Sequence, residues 1–168
     1  IDTTAPTAVG FATTNGGGTP RTLEANDNFT LTYSEAVAPT SIIPGWNGVT
    51  VQNVVVRADD NAGAGGNDTL TVYDAANAAL LPLGTIDLGL STYVGGDRTF
   101  GLPGAAILST ITMSGSSLTI KLGTANLGTT TSTGSANVQW TPATGVTDTA
   151  LNNTSTAPYS VTHSNGDF

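Results

Sequence analysis

Oxygen donors dominate the reactive groups of this chain. Asp and Glu number 12 against four Lys and Arg, with one histidine and no cysteine. Thiolate metal sites are therefore excluded, and any metal would fall to carboxylates and carbonyls. Glu35 closes a period-2 run, Asn28–Glu35, in which Phe29, Leu31 and Tyr33 alternate with Thr30, Thr32 and Ser34. Its parity puts it on the apolar side of that strand. In a Greek-key sandwich the first strand starts at the pole where the second ends, and the loop before the last strand returns there. Asp2, ahead of the first strand, and Asp148, in the loop before the last, should then lie at one pole with Glu35, beside the Pro39–Gly48 loop. Three carboxylates with backbone carbonyls could bind Ca2+, which takes about six to eight oxygens. Alternatively, each carboxylate caps a turn through local hydrogen bonds.

Other groups offer less. Asp59, Asp60, Asn61, Asn67 and Asp68 form a second oxygen-rich cluster. Gly66, Asp68 and Leu70 resemble the end of a glycine-rich Ca2+ nonapeptide, but Ala64 breaks the pattern and that motif works in tandem copies. A solvated loop is the expectation there. Trp46 lies in a loop, where an exposed ring could stack on a sugar, with Tyr73 and Tyr93 adding to a platform. It could equally plug the end of the sandwich. Trp140 alternates with Val138 and reads as core. His163, the single histidine, shares parity with Tyr159 and Val161. No nucleophile-elbow sequence accompanies it, and Glu24 and Glu35 are the only glutamates, so no catalytic constellation emerges. Lys121, the sole lysine, has outward parity, which argues against a buried cross-link to an asparagine.

The elements that would position these groups are short strands separated by turn signals. Thr7–Thr13 reads as an edge strand, preceded by the donorless Pro6, with Val9 and Phe11 pointing inward. A long turn with Pro39 and Pro44 follows Glu35. Val49–Arg57 reads as a central strand, because Val54, Val55 and Val56 are apolar on both faces. Asp68–Asp74 alternates around Leu70 and Val72, and Leu80–Leu90 is extended around Pro82. Ser91–Gly104 reads as a long connection. Ile107–Met113 and Leu118–Leu122 flank Ser114-Gly115-Ser116-Ser117, a hairpin signal. Thr124–Ser135 and Thr144–Asn153 read as loops, Asn137–Thr141 and Pro158–His163 as the last strands. The sum is an all-β, Ig-like Greek-key β-sandwich of nine or ten strands. It forms a single domain over 1–168, with extra strands and loops across 57–104.

Composition agrees. Thr and Gly are abundant and only 10% of residues are charged, against a norm of about 25%. Such a chain is poor helix material. A formal charge of -8 excludes nucleic acid, which needs clustered Lys and Arg, and disfavours anionic membrane surfaces. No apolar run approaches the roughly 20 residues needed to span a bilayer. A start at Ile1 without cysteine suggests a mature secreted chain or an excised segment, hence an extracellular address.

Three stretches carry a resemblance. They are Asp2-Thr3-Thr4-Ala5-Pro6, Leu31-Thr32-Tyr33-Ser34-Glu35-Ala36-Val37, and Gly145-Val146-Thr147-Asp148-Thr149-Ala150-Leu151-Asn152. In this order they resemble bacterial immunoglobulin-like domains of S-layer proteins and large surface adhesins, in which a glycine often stands at the place of Leu151. The resemblance implies a sandwich used for spacing, assembly or adhesion, sometimes with structural Ca2+. The expected function is a non-catalytic extracellular module: a subunit of a surface filament or layer, an adhesin domain, or a carbohydrate-binding module. Assembly by β-strand addition would use the opening segment Asp2–Thr14, including Ala5, Pro6, Val9 and Phe11.

Overall fold

The computed structural model describes residues 2–163 and Phe168. The chain is all-β. Its strands are β1 (Ala8–Thr14), β2 (Asn28–Tyr33), β3 (Gln52–Asp59), β4 (Thr69–Asp74), β5 (Thr85–Asp87), β6 (Arg98–Phe100), β7 (Ser109–Ser114), β8 (Ser117–Lys121), β9 (Ala136–Thr141) and β10 (Tyr159–His163). One turn of helix, α1 (Pro39–Ile42), lies within the long turn after β2, with Pro39 at its start where no amide donor is needed. A 3-10 turn spans Ala62–Ala64.

All ladders are antiparallel and join into one sheet of order β1-β2-β8-β7-β3-β4-β5-β9-β10. The sheet curls until β10 comes beside β1 without a backbone ladder between them, so its shape is nearly that of a barrel. The two separate sheets expected from the sequence are thus joined into one ladder, because short β5 pairs with both β4 and β9. Strand β6, inside the stretch expected to be only a connection, pairs with Val56–Ala58 of β3, continuing the side where β7 pairs with Gln52–Val54. Three residues are too few to show a periodicity, which is why sequence pattern misses such a strand.

The alternations of β2 and β8 place Phe29, Leu31, Tyr33, Leu118 and Ile120 in the core. Val54, Val55 and Val56 are all buried, so both faces of β3 are covered. Trp140 is wholly buried, donates from Nε1 to the Leu83 carbonyl at 2.8 Å, and meets Tyr33 edge-to-face at 5.0 Å. The β7–β8 hairpin turns through two residues, with Gly115 at φ 59°, the positive angle that such a turn demands of its first central residue. The outward partners Thr30–Thr119 and Thr32–Ser117 pair through their hydroxyls across β2 and β8.

The opening strand departs from its expected parity. A register shift between Ala8 and Gly10 marks a bulge, which turns Val9 outward to 47% exposure. Phe11, beyond the bulge, is buried and stacks on Phe29 at 6.3 Å.

Candidate metal centre

The expected pole exists. Asp2, Glu35 and Asp148 each present a carboxylate oxygen, and these oxygens lie within 4.8 Å of one another. Each arrives from a different segment. The opening segment is clamped to the end of β2: the Thr7 N–H donates to Ser34 Oγ at 3.0 Å, and the Ser34 N–H to the Thr7 carbonyl at 2.9 Å. Asp2 Oδ1 accepts the Thr4 N–H at 2.9 Å, which shapes the chain just ahead of that clamp. Just past Glu35, Val37 bridges to Asp148, and the Ala38 N–H donates to the Thr147 carbonyl at 2.6 Å. Ser41 of α1 adds a hydroxyl that accepts the Thr147 N–H at 3.1 Å. The helical turn thus braces the loop that carries Asp148.

Asp148 heads a tight turn and is buried. Its Oδ1 accepts the Asn152 N–H and its Oδ2 the Asn152 side-chain amide, both at 2.8 Å. The same amide reaches the Asp2 carbonyl at 3.3 Å. Asn152 therefore ties two of the three acidic segments together, a role that its place in a short motif did not reveal. The turn requires Leu151 to adopt φ 69°, a left-handed conformation that costs a leucine energy, while its side chain is 77% exposed.

The electrostatics are uneven. Burial pushes the half-buried Glu35 carboxyl above its ordinary pKa, and Asp2 and Asp148 push it further by charge repulsion. Burial acts in the same direction on Asp148, but the hydrogen bonds from Asn152, Ala150 and Leu151 outweigh it and leave that group below the ordinary value. Asp148 is thus a firmly ionised anchor, and Glu35 a carboxylate that repels its neighbours. A cation held between them would remove that repulsion.

The spacing and the donor chemistry of the trio are compatible with a hard cation. With Ca–O bonds of about 2.3–2.6 Å, two oxygens on one Ca2+ can stand up to about 5 Å apart. The 4.8 Å limit of this trio falls within that span. The all-oxygen donor set, with no histidine or cysteine in the group, also favours a hard cation over zinc.

The other sequence-based sites fare differently. Trp46 is 2% exposed and donates from Nε1 to the Thr50 carbonyl at 2.6 Å. Its ring is part of the buried core and is closed to a sugar, which corrects the glycan-binding expectation. Tyr93 is also buried, and the Tyr73 ring is covered by the Arg57 guanidinium at 3.7 Å. Of the residues expected to assemble with a neighbour, Pro6 and Phe11 are buried within their own chain and Ala5 is half-buried, leaving Val9 as the exposed one. The Pro6 carbonyl moreover accepts the Ser155 N–H at 2.8 Å. Lys121 is half-buried opposite Asn28 and Thr110 on the outward face of β8. His163 pairs with Ala136 through its backbone, and its side chain lies outside the described residues. The loop around Asp68 is not simply solvated, since Asp68 itself is wholly buried. No helix is long and apolar enough to cross a membrane among the described residues.

Compared with known families, curated proteins and solved structures, the chain matches none.

Proposed function

We propose that this chain is a non-catalytic structural module of an extracellular assembly, a subunit of a surface filament or layer, whose Asp2–Glu35–Asp148 pole holds a structural Ca2+. The observation that carries this reading is the meeting of three carboxylates from residues 2, 35 and 148 within 4.8 Å. Uncompensated like charge at that spacing is costly, and a bridging cation converts it into a cross-link between three segments. The low charge content and the absence of any nucleophile-and-base pattern support a structural rather than a catalytic role. We read the curled sheet as an elaborated Ig-like Greek-key sandwich, supported by the order β1-β2-β8-β7-β3 along one side. A segment joined ahead of Asp2 would emerge beside the cation, which makes this pole suited to a rigid junction with a neighbouring subunit or a tandem adhesin domain. With Trp46 buried, a carbohydrate-binding role loses its best residue.

The test is sedimentation and electron microscopy of the purified chain in Ca2+ and in EDTA. Polymers or ordered layers that form in Ca2+ and disperse in EDTA are the expected result. A monomer in both conditions, with unchanged melting, would overturn both the assembly and the cation.

A further inference from the structure

A second site lies in segments that contribute nothing to the trio above. Asp68, immediately before β4, is wholly buried and its backbone is locked between Leu88 and Leu90 by two hydrogen bonds of 2.9 and 2.8 Å. Its Oδ2 accepts the N–H groups of Tyr93 and Val94 at 2.8 and 3.0 Å. Its Oδ1 is shut off from solvent and makes no hydrogen bond. A buried carboxylate oxygen without a donor costs free energy comparable to a lost charged hydrogen bond, so something must neutralise it: a proton, a water or a cation.

The surroundings favour a cation. Burial raises the pKa of Asp68 and the Asp60 carboxylate raises it further, against the backbone N–H groups of Val94, Tyr93 and Asn61, which favour the charged form. The Asp60 N–H donates to Asp97 Oδ1 at 3.0 Å, which brings a third carboxylate to this end of the sheet. Asp59 is a fourth, raised by burial and then by Asp97, and only partly relieved by Arg57. Both arginines of this end are committed elsewhere. Arg57 lies on the Tyr73 ring and donates to Asn77, and Arg98 donates to the carbonyls of Gly96, Asp97 and Gly128. The connecting loop supplies neutral oxygens. It is folded on itself by the Gly66 N–H to the Asn61 carbonyl and by the Asn61 amide to the Asn67 carbonyl, both at 3.0 Å.

We infer that Asp68 Oδ1 and the Asp60 carboxylate are the anionic ligands of a second Ca2+ site, completed by oxygens of the 59–67 loop and by water. Cation binding there would fasten the loop to the Tyr93–Val94 segment through the Asp68 carboxylate. The inference stands apart from the trio, and it holds or falls on its own measurement.

That measurement is calorimetric titration with Ca2+, paralleled by Tb3+ luminescence excited through the protein's aromatic rings, on the wild-type chain and on Glu35→Gln, Asp60→Asn and Asp68→Asn. Asp68→Asn keeps an oxygen for the Tyr93 and Val94 donors, and Asp60→Asn keeps the acceptor that Ala62 uses. One binding step should survive in Glu35→Gln and weaken on the order of tenfold or more in the other two variants. Should Asp68→Asn fail to fold, Asp60→Asn decides alone. The inference is overturned if Glu35→Gln abolishes all binding, if Asp60→Asn binds as the wild type does, or if the wild type binds no Ca2+.

Discussion

Glu35→Gln should destabilise the protein in Ca2+ and spare or stabilise it in chelator. The sign follows from the pole's electrostatics. Without a cation, ionised Glu35 is disfavoured by burial and by Asp2 and Asp148, so the neutral amide removes a repulsion. With Ca2+ bound, the same substitution removes one of three anionic ligands. At a free Ca2+ concentration of about 100 times Kd, binding adds about 2.7 kcal/mol to wild-type stability. For a domain of this size each kcal/mol moves Tm by about 2–4 °C, so Ca2+ should raise the wild-type Tm by about 5–11 °C. Glu35→Gln should lose most of the rise that this pole contributes, and the two melting curves should exchange order between EDTA and Ca2+. Differential scanning calorimetry at pH 7 reads this directly. Lowering the pH through the raised Glu35 pKa should erase the variant's advantage in EDTA, because the wild-type carboxyl is then neutral too. A Glu35→Gln variant less stable than wild type in EDTA, with no Ca2+ response in either protein, would refute the reasoning and leave Glu35 as a hydrogen-bonding residue of an ordinary turn.

Four further outcomes are expected. Tyr33 is 1% exposed and its hydroxyl has no hydrogen-bond partner, with the phenol pKa pushed well above its ordinary value by burial; Tyr33→Phe should raise stability by about 1–2 kcal/mol in urea unfolding at unchanged m, and a loss of that size would point to a bound internal water. Leu151→Gly should relieve the φ 69° strain at little packing cost, raising stability by about 0.5–1 kcal/mol in the same assay; no gain would mean that the exposed leucine has a contact of its own. Trp46→Ala should cost about 3–5 kcal/mol through the cavity left in the core, and a surface-like loss below about 0.5 kcal/mol would contradict its burial. In EDTA, stability should rise as pH falls from 7 towards about 4–5, because Asp27, Glu35, Asp59 and Asp68 all have raised folded-state pKa values and bind protons more readily folded than unfolded. Below that range it should fall as Asp74 and Asp148, both lowered, take up protons. A monotonic decline from pH 7 would contradict the raised group.

The all-β class and the inward faces of β2, β4, β8 and β9 were legible in the sequence, because alternation in a strand is a local property set by two residues per repeat. So was the shared position of Asp2, Glu35 and Asp148, since strand direction and connection order place chain ends at poles without any knowledge of contacts. Other features depended on three dimensions. The bulge at Val9 is a mismatch between two strands, written in neither alone, and it turned an inward candidate outward. Trp46 had the composition of an exposed loop around it, and only the packing of the whole core decided that its ring faces in. The short strands β5 and β6 carry too few residues for a periodic signal, yet β5 joins the two halves of the sheet. Asp68 looked like one acidic residue of a polar loop until Tyr93 and Val94 folded over it. Sequence determined which residues could bear charge and which strands they ended. Tertiary structure alone decided which of those charges were buried, because burial is imposed by segments far away in the chain.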